Sequence, residues 1–221
     1  ASLVERGDLT TAMSSFTSSM EAARRELRSQ QLSPEVPQAE SIRVEVYPLA
    51  QRVRAQIEPN DAVMYAYLKA YKIVRMGATS VAVAFSLFNT ALTFHASGLY
   101  QREQRYHEEQ ANRVWDKLRQ AKNMYKLVLQ AVQNEMASEN GSNLQSLLHL
   151  QIVTLNNLGS ILFFMEEIEE SRCIFGHLTQ LLLSIGARLR ALDLQETELS
   201  RIAENYSLVL FLDQVGHAPA A

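Results

Sequence analysis

His107 and Glu108 are the adjacent residue types with which a zinc-hydrolase helix begins, a metal-binding imidazole beside a general-base carboxylate. That chemistry needs a second imidazole four residues after the first, and Ala111 stands there. The other histidines, His95, His149, His177 and His217, are dispersed along the chain. His95 and His177 fall on predicted packed helices, where an imidazole is ordinarily a core residue. Cys173 has no second cysteine with which to form a disulfide or a thiolate pair. Glu166, Glu167, Glu169 and Glu170 read as the solvated start of a helix, whose amide dipoles favour carboxylates. Trp115 reads as a core or hairpin-packing residue rather than a platform for a stacked ligand. There is no glycine-rich phosphate loop, nucleophile elbow or paired-cysteine metal signature. No catalytic, cofactor-binding or metal-ligating residue is therefore assigned, and an enzyme is not expected.

The elements that would position any site are helices. The 221 residues are 47% hydrophobic with only 8 Gly and 5 Pro, enough apolar material for one domain and a composition that suits helices better than sheets. A formal net charge of −3 gives no electrostatic reason to bind nucleic acid. No run of 18 apolar residues is present, so no membrane insertion is expected. Ala1 to Arg6 lacks the apolar core of a signal peptide. The lone thiol favours a reducing compartment, hence an intracellular, cytoplasmic setting. Sequons at Asn140-Gly-Ser and Asn205-Tyr-Ser carry little weight.

Within the helical stretches, one pattern recurs. Leu155, Leu158 and Leu162 lie three and four residues apart, on one helix face, with Gly159 among them. Ser171, Phe175 and Leu178 follow on a second helix. Gly159 and Ser171 are small, so two backbones can approach closely there. A second copy has Leu87, Ala91 and Phe94 on the first helix and Ala121, Tyr125 and Val128 on the second. Phe94 to Ala121 is 27 residues, whereas Leu162 to Ser171 is 9; the excess of 18 is five turns at 3.6 residues each. Two helices each longer by two and a half turns account for it, giving a protruding hairpin through the charged stretch Gly98 to Asp116. A third partial copy, Gly7, Ala12 and Phe16, opens the chain, which reads as beginning inside a repeat.

These residues resemble the tetratricopeptide (TPR) repeat, a helix–turn–helix unit of about 34 residues with the pattern W-x2-L-G-x2-Y followed by A-x3-F. Leu155 takes the Trp place, Leu158-Gly159 the Leu-Gly pair, Leu162 the Tyr place, Ser171 the Ala place and Phe175 the Phe place. The resemblance implies a mainly α, TPR-like solenoid of antiparallel helix hairpins in residues 1–214. Repeat remnants are expected at about 1–30, 82–136 and 150–185, a terminal helix at about 195–212, and a disordered tail at 215–221. Residues 31–80 form an insertion between the first and second repeats. There Ile42 to Pro48 alternates like a strand, and Ala62 to Val74 is read as a strand in preference to a helix capped at Asn60 or Asp61. The two runs are able to pair as a hairpin.

In TPR proteins the first helices of successive repeats line a groove that takes a peptide or helix of a partner. Asn89 and Asn157 occupy equivalent places, where the family's Asn side chains often bond a bound peptide's backbone. Phe85, Phe88, Leu92 and His95 beside one, and Val153, Asn156, Ser160 and Phe163 beside the other, line the groove or are buried by the β-prone insertion or a neighbouring helix. The carboxylate clamp of some TPR domains is not expected, because neither Asn has a basic neighbour in its motif. On this reading Asn157→Ala spares the fold and weakens a groove-bound partner, whereas Gly159→Arg breaks helix packing. The expected function is a protein-interaction scaffold or adaptor for a partner of unknown identity and oligomeric state. The alternative is a non-catalytic structural subunit of a larger assembly.

Overall fold

A computed structural model describes residues 43–48, 56–57, 62–75, 79–103, 108–138, 143–186, 192 and 194–216. The chain is mainly helical, with five helices and a little antiparallel sheet among these residues. The strands are β1 (Arg43–Pro48), β2 (Gln56–Ile57), β3 (Ala62–Val63) and β4 (Lys69–Arg75). The helices are α1 (Thr79–Glu103), α2 (Glu108–Ala137), α3 (Leu144–Phe164), α4 (Ile168–Ile185) and α5 (Glu196–Gly216). The expected repeat remnant at 1–30, with Ala12 and Phe16, lies outside the described residues, as do His107, Asn140 and His217.

Consecutive helices pack on one another, and α3 also touches both α1 and α5. The α1–α2 pair is a long antiparallel hairpin. Gly98 lies against Leu118, His95 against Tyr125 and Ser80 against Glu135, with sequence separations that grow away from the turn. The length inferred from the excess of 18 residues is thus observed. The α3–α4 hairpin turns at once. Glu166 adopts a left-handed backbone at φ 61°, while the amides of Glu166 and Glu167 bond the carbonyls of Phe163 and Leu162. This pairing satisfies orphan carbonyls at the helix end.

Small residues let these hairpins close. A Cβ added at Gly159 would lie 2.7 Å from the Phe175 ring, and the Ser171 hydroxyl donates to the Gly159 carbonyl at 2.8 Å. Ala91 and Ala121 are likewise fully buried between α1 and α2. Helix α3 is buried from Ile152 to Phe164, its polar Asn156, Asn157 and Ser160 included. It is the one described helix long and apolar enough to cross a bilayer, and it is mostly covered by the other elements.

The β-prone insertion is strand in part: the run Ala62 to Val74, expected as one strand, is strand at its two ends and not from Met64 to Leu68. β1 pairs antiparallel with β4, Val44 opposite Ile73 and Val46 opposite Tyr71, and β2 pairs with β3. Between β3 and β4 the chain runs from Met64 to Leu68 without a strand neighbour among the described residues. This stretch divides the core. Tyr67 and Tyr71 join the cluster built on Phe85, Phe88, Tyr125, Leu150 and Val153. Met64 and Ala66 join a second cluster with Ile152, Phe163, Phe175, Ile202 and Val209.

Three expectations are corrected. Trp115 is a surface residue, because its turn of α2 faces solvent. His177 is exposed on α4, since it falls between the buried positions Phe175 and Leu178. Helix α5 continues to Gly216, past the predicted end at 212 and into the expected tail.

Candidate functional site

Three asparagines on alternate helices hold one extended backbone. Asn89 of α1 accepts from the Tyr71 N–H at 2.8 Å and donates to the Tyr71 carbonyl at 2.6 Å. Asn157 of α3 does the same to Tyr67, at 2.7 and 2.9 Å. Asn205 of α5 does it to Tyr65, at 2.7 Å for both bonds. The N–H and C=O of one residue in an extended chain point to the same edge, so a single amide side chain can engage both. Tyr65, Tyr67 and Tyr71 differ by even numbers and therefore present the same edge. Each Asn thus replaces one residue of a missing neighbouring strand. Because Tyr71 turns its polar backbone to Asn89, the ladder bonds to β1 must come from residues of the other parity, Ala70 and Lys72.

The spacing fits the helices. Six extended residues cover about 20 Å, and two helix–helix spacings amount to about 16–20 Å. The segment therefore crosses α5, α3 and α1 in turn.

Further bonds fix the amides themselves. Asn157 Nδ2 also donates to the Tyr125 hydroxyl at 3.0 Å, and Asn205 Nδ2 to Asn156 Oδ1 at 2.8 Å. Asn156 Nδ2 reaches the Tyr65 carbonyl at 3.1 Å. Ser160 Oγ lies 3.2 Å from that carbonyl and 2.9 Å from the Asn156 carbonyl, with one proton to share between them. Burial of these amides is tolerable because their donors and acceptors are met.

Aromatic side chains fill the space beneath. The Tyr71 ring packs edge-on against Phe85 at 5.0 Å and Phe88 at 5.3 Å. Tyr67 meets Phe88 at 6.5 Å and His149 at 6.0 Å. At the α5 end the contact is ionic. Lys69 Nζ lies 2.6 Å from Glu198 Oε1, and the same carboxylate accepts from the Gln195 N–H at 3.1 Å, closing the first turn of α5. Arg201 sits over the Tyr65 ring at 5.5 Å. Burial together with the Glu198 charge pushes the Tyr65 phenol well above its ordinary range, so it stays protonated.

The residues expected to line a groove are all buried, at 0–7% exposure. Phe85, Phe88, Asn89, Asn156, Asn157 and Ser160 contact the chain's own segment. Leu92 and Val153 belong to the core beneath it, and Phe163 to the second cluster. His95 turns instead to α2, its Nδ1 3.4 Å from the Tyr125 hydroxyl. Its Nε2 is buried without a partner, and burial lowers the imidazole pKa to about 3. The β-prone insertion thus covers six of these residues, while His95 is buried against the neighbouring helix α2.

Asn205 and Glu198 were missed. A signal for Asn205 exists. Two residues after each Asn stands a small residue (Ala91, Gly159, Ser207), and five after it a large one (Phe94, Leu162, Leu210).

Among the described residues no group of three or more His, Cys, Asp or Glu side chains is placed to hold a metal. The chain matches no protein-family model, no curated protein sequence and no solved structure.

Proposed function

We propose that this chain is a non-enzymatic protein-interaction scaffold of TPR-like helical hairpins, whose first helices recognise the main chain of an extended polypeptide. The observation that carries the reading is the set of three amides, each engaging both the N–H and the C=O of one residue. Such contacts recognise a backbone conformation rather than a side chain, which is how a strand-binding surface gains affinity. The Leu158-Gly159 pair, the contact of Gly159 with Phe175 and the bond from Ser171 support the TPR-like arrangement. The lone cysteine supports an intracellular, cytoplasmic setting.

A second reading is a structural subunit buried in a larger assembly. It is favoured by the occupancy of the three amides by the chain itself, which leaves other surfaces for partners.

Affinity capture from native extract tests the two, with wild type beside Asn89→Ala/Asn157→Ala and the helical content of both measured by circular dichroism. A partner lost from the double variant at unchanged helical content supports the scaffold reading. A stoichiometric set retained by both chains supports the structural subunit.

A further inference from the structure

The segment Met64–Tyr71 is held by amides on the helices along its whole length, and only its last three residues, Lys69 to Tyr71, also pair with β1. Among the described residues Met64 to Leu68 have no strand neighbour, and the amides that engage Tyr65, Tyr67 and Tyr71 come from α5, α3 and α1. None of the amide contacts depends on the segment belonging to the same chain. Its advantage over a strand from elsewhere is its tether, which is worth an effective concentration of about millimolar.

We propose that this segment is an exchangeable internal ligand, and that the amide-lined groove takes in its place an extended strand of a partner protein with the same side-chain order. The inference rests on the scaffold reading above. The segment itself specifies the partner. An aromatic residue stands at the first, third and seventh places (Tyr65, Tyr67, Tyr71), where Phe85, Phe88 and His149 receive the last two. A small residue stands at the second place, where Ala66 is enclosed by the second cluster. A lysine stands at the fifth, where Glu198 receives Lys69. Proline is excluded from the first, third and seventh places, since each must donate its N–H. The Lys69–Glu198 pair is the charge-sensitive latch at the α5 end, with 28% of the Lys69 side chain still reached by solvent. A chain whose latch is weakened populates the open groove more, and trans affinity rises in proportion to that population.

The test uses full-length chains and a fluorescein-labelled peptide, Met-Tyr-Ala-Tyr-Leu-Lys-Ala-Tyr-Lys, followed by anisotropy. Lys69→Glu sets a carboxylate against Glu198 and weakens the internal segment without touching an amide; Lys69→Gln serves if the charge reversal prevents folding. The expected result is peptide binding about tenfold or more tighter to Lys69→Glu than to wild type. Binding should fall again when Asn205→Ala is added, and should vanish for a peptide N-methylated at the residue matching Tyr67. Equal affinity for wild type and Lys69→Glu overturns the proposal. Hydrogen exchange at the Tyr65 and Tyr67 amides separates the remaining outcomes. If they stay protected in Lys69→Glu and no peptide binds, the segment is a permanent core element, the proposal falls, and the structural-subunit reading, with partners on other surfaces, is favoured. If they exchange freely and still no peptide binds, the groove takes no strand and both readings fall. Dimers of Lys69→Glu that exclude the peptide overturn it in favour of exchange between copies of this chain.

Discussion

Replacing Asn157 by Ala removes a long hydrogen bond from Asn156 Nδ2 at 3.3 Å and three short ones, which dominate: from the Tyr67 N–H at 2.7 Å, to the Tyr67 carbonyl at 2.9 Å and to the Tyr125 hydroxyl at 3.0 Å. All three partners belong to side chains or backbone of residues with no measurable exposure, so water cannot replace the amide. A net value of about 1 kcal/mol per bond gives a loss of about 3 kcal/mol, and the stranded Tyr67 backbone groups push the figure upward. Against a total stability of about 5–15 kcal/mol this is large, though not enough to prevent folding. The melting temperature should drop by about 6–12 °C, using roughly 2–4 °C per kcal/mol for a chain of this size. The expectation that this change spares the fold is therefore replaced. Urea titration gives the free energy, and Asn123→Ala on the exposed face of α2 is the control, expected to change it by no more than about 0.5 kcal/mol. Native-state hydrogen exchange adds the local readout, since the Tyr67 amide should lose protection beyond the global change. A loss below about 1 kcal/mol with the Tyr67 amide still protected would refute the claim that these amides hold the segment.

Gly159→Ala should cost about 1–3 kcal/mol by chemical denaturation, because the added carbon meets the enclosed Phe175 ring at 2.7 Å; an unchanged midpoint would show that α4 can retreat. Glu166→Gly should stabilise by about 0.5–1 kcal/mol, because the left-handed backbone at φ 61° strains any side chain; a lower melting temperature would count against this. The His95 pKa is about 3 in the fold against 6.5 unfolded, so below pH 6.5 the unfolded chain takes up a proton that the native chain does not. Stability is then full above pH 6.5 and declines as pH falls toward 3, by about 2 kcal/mol at pH 5. His95→Gln should remove that part of the pH dependence, and an equal change in unfolding free energy between pH 5 and 7.5 for wild type and variant, from urea titrations, would exclude His95 as its source.

Much of the helical scaffold was legible because its constraints are local. Gly159, Ser171 and Phe175 announce a close helix contact through size alone, and the spacing between Phe94 and Ala121 gave the length of the α1–α2 hairpin. The alternation of Tyr65, Tyr67, Tyr71 and Ile73 likewise marked an extended segment. What the segment would lie against was not legible. An extended run with one polar backbone edge is compatible with a strand, a partner or a row of amides. The choice depends on contacts spread from Asn89 to Asn205. Trp115 and His177 were misplaced for a related reason: helical periodicity identifies a buried face only to within a residue or two. Glu198 reads as an ordinary first-turn carboxylate, and only the fold brings Lys69 to it.

The distances along the chain between the amides and their tyrosines imply an order of assembly. Asn89 lies 18 residues from Tyr71, Asn157 lies 90 from Tyr67, and Asn205 lies 140 from Tyr65. During synthesis, at about 5–20 residues per second, the segment emerges first and its last amide arrives many seconds later. Helix hairpins form from neighbouring residues and can close as each is made, but the tyrosine row must be held waiting, anchored first at Tyr71 and completed toward Tyr65. In that interval Met64 and Ala66 lack the α5 side chains that later enclose them. The nascent chain therefore exposes an apolar, strand-forming stretch until its C-terminal helix docks, a period in which protection by a chaperone would matter most.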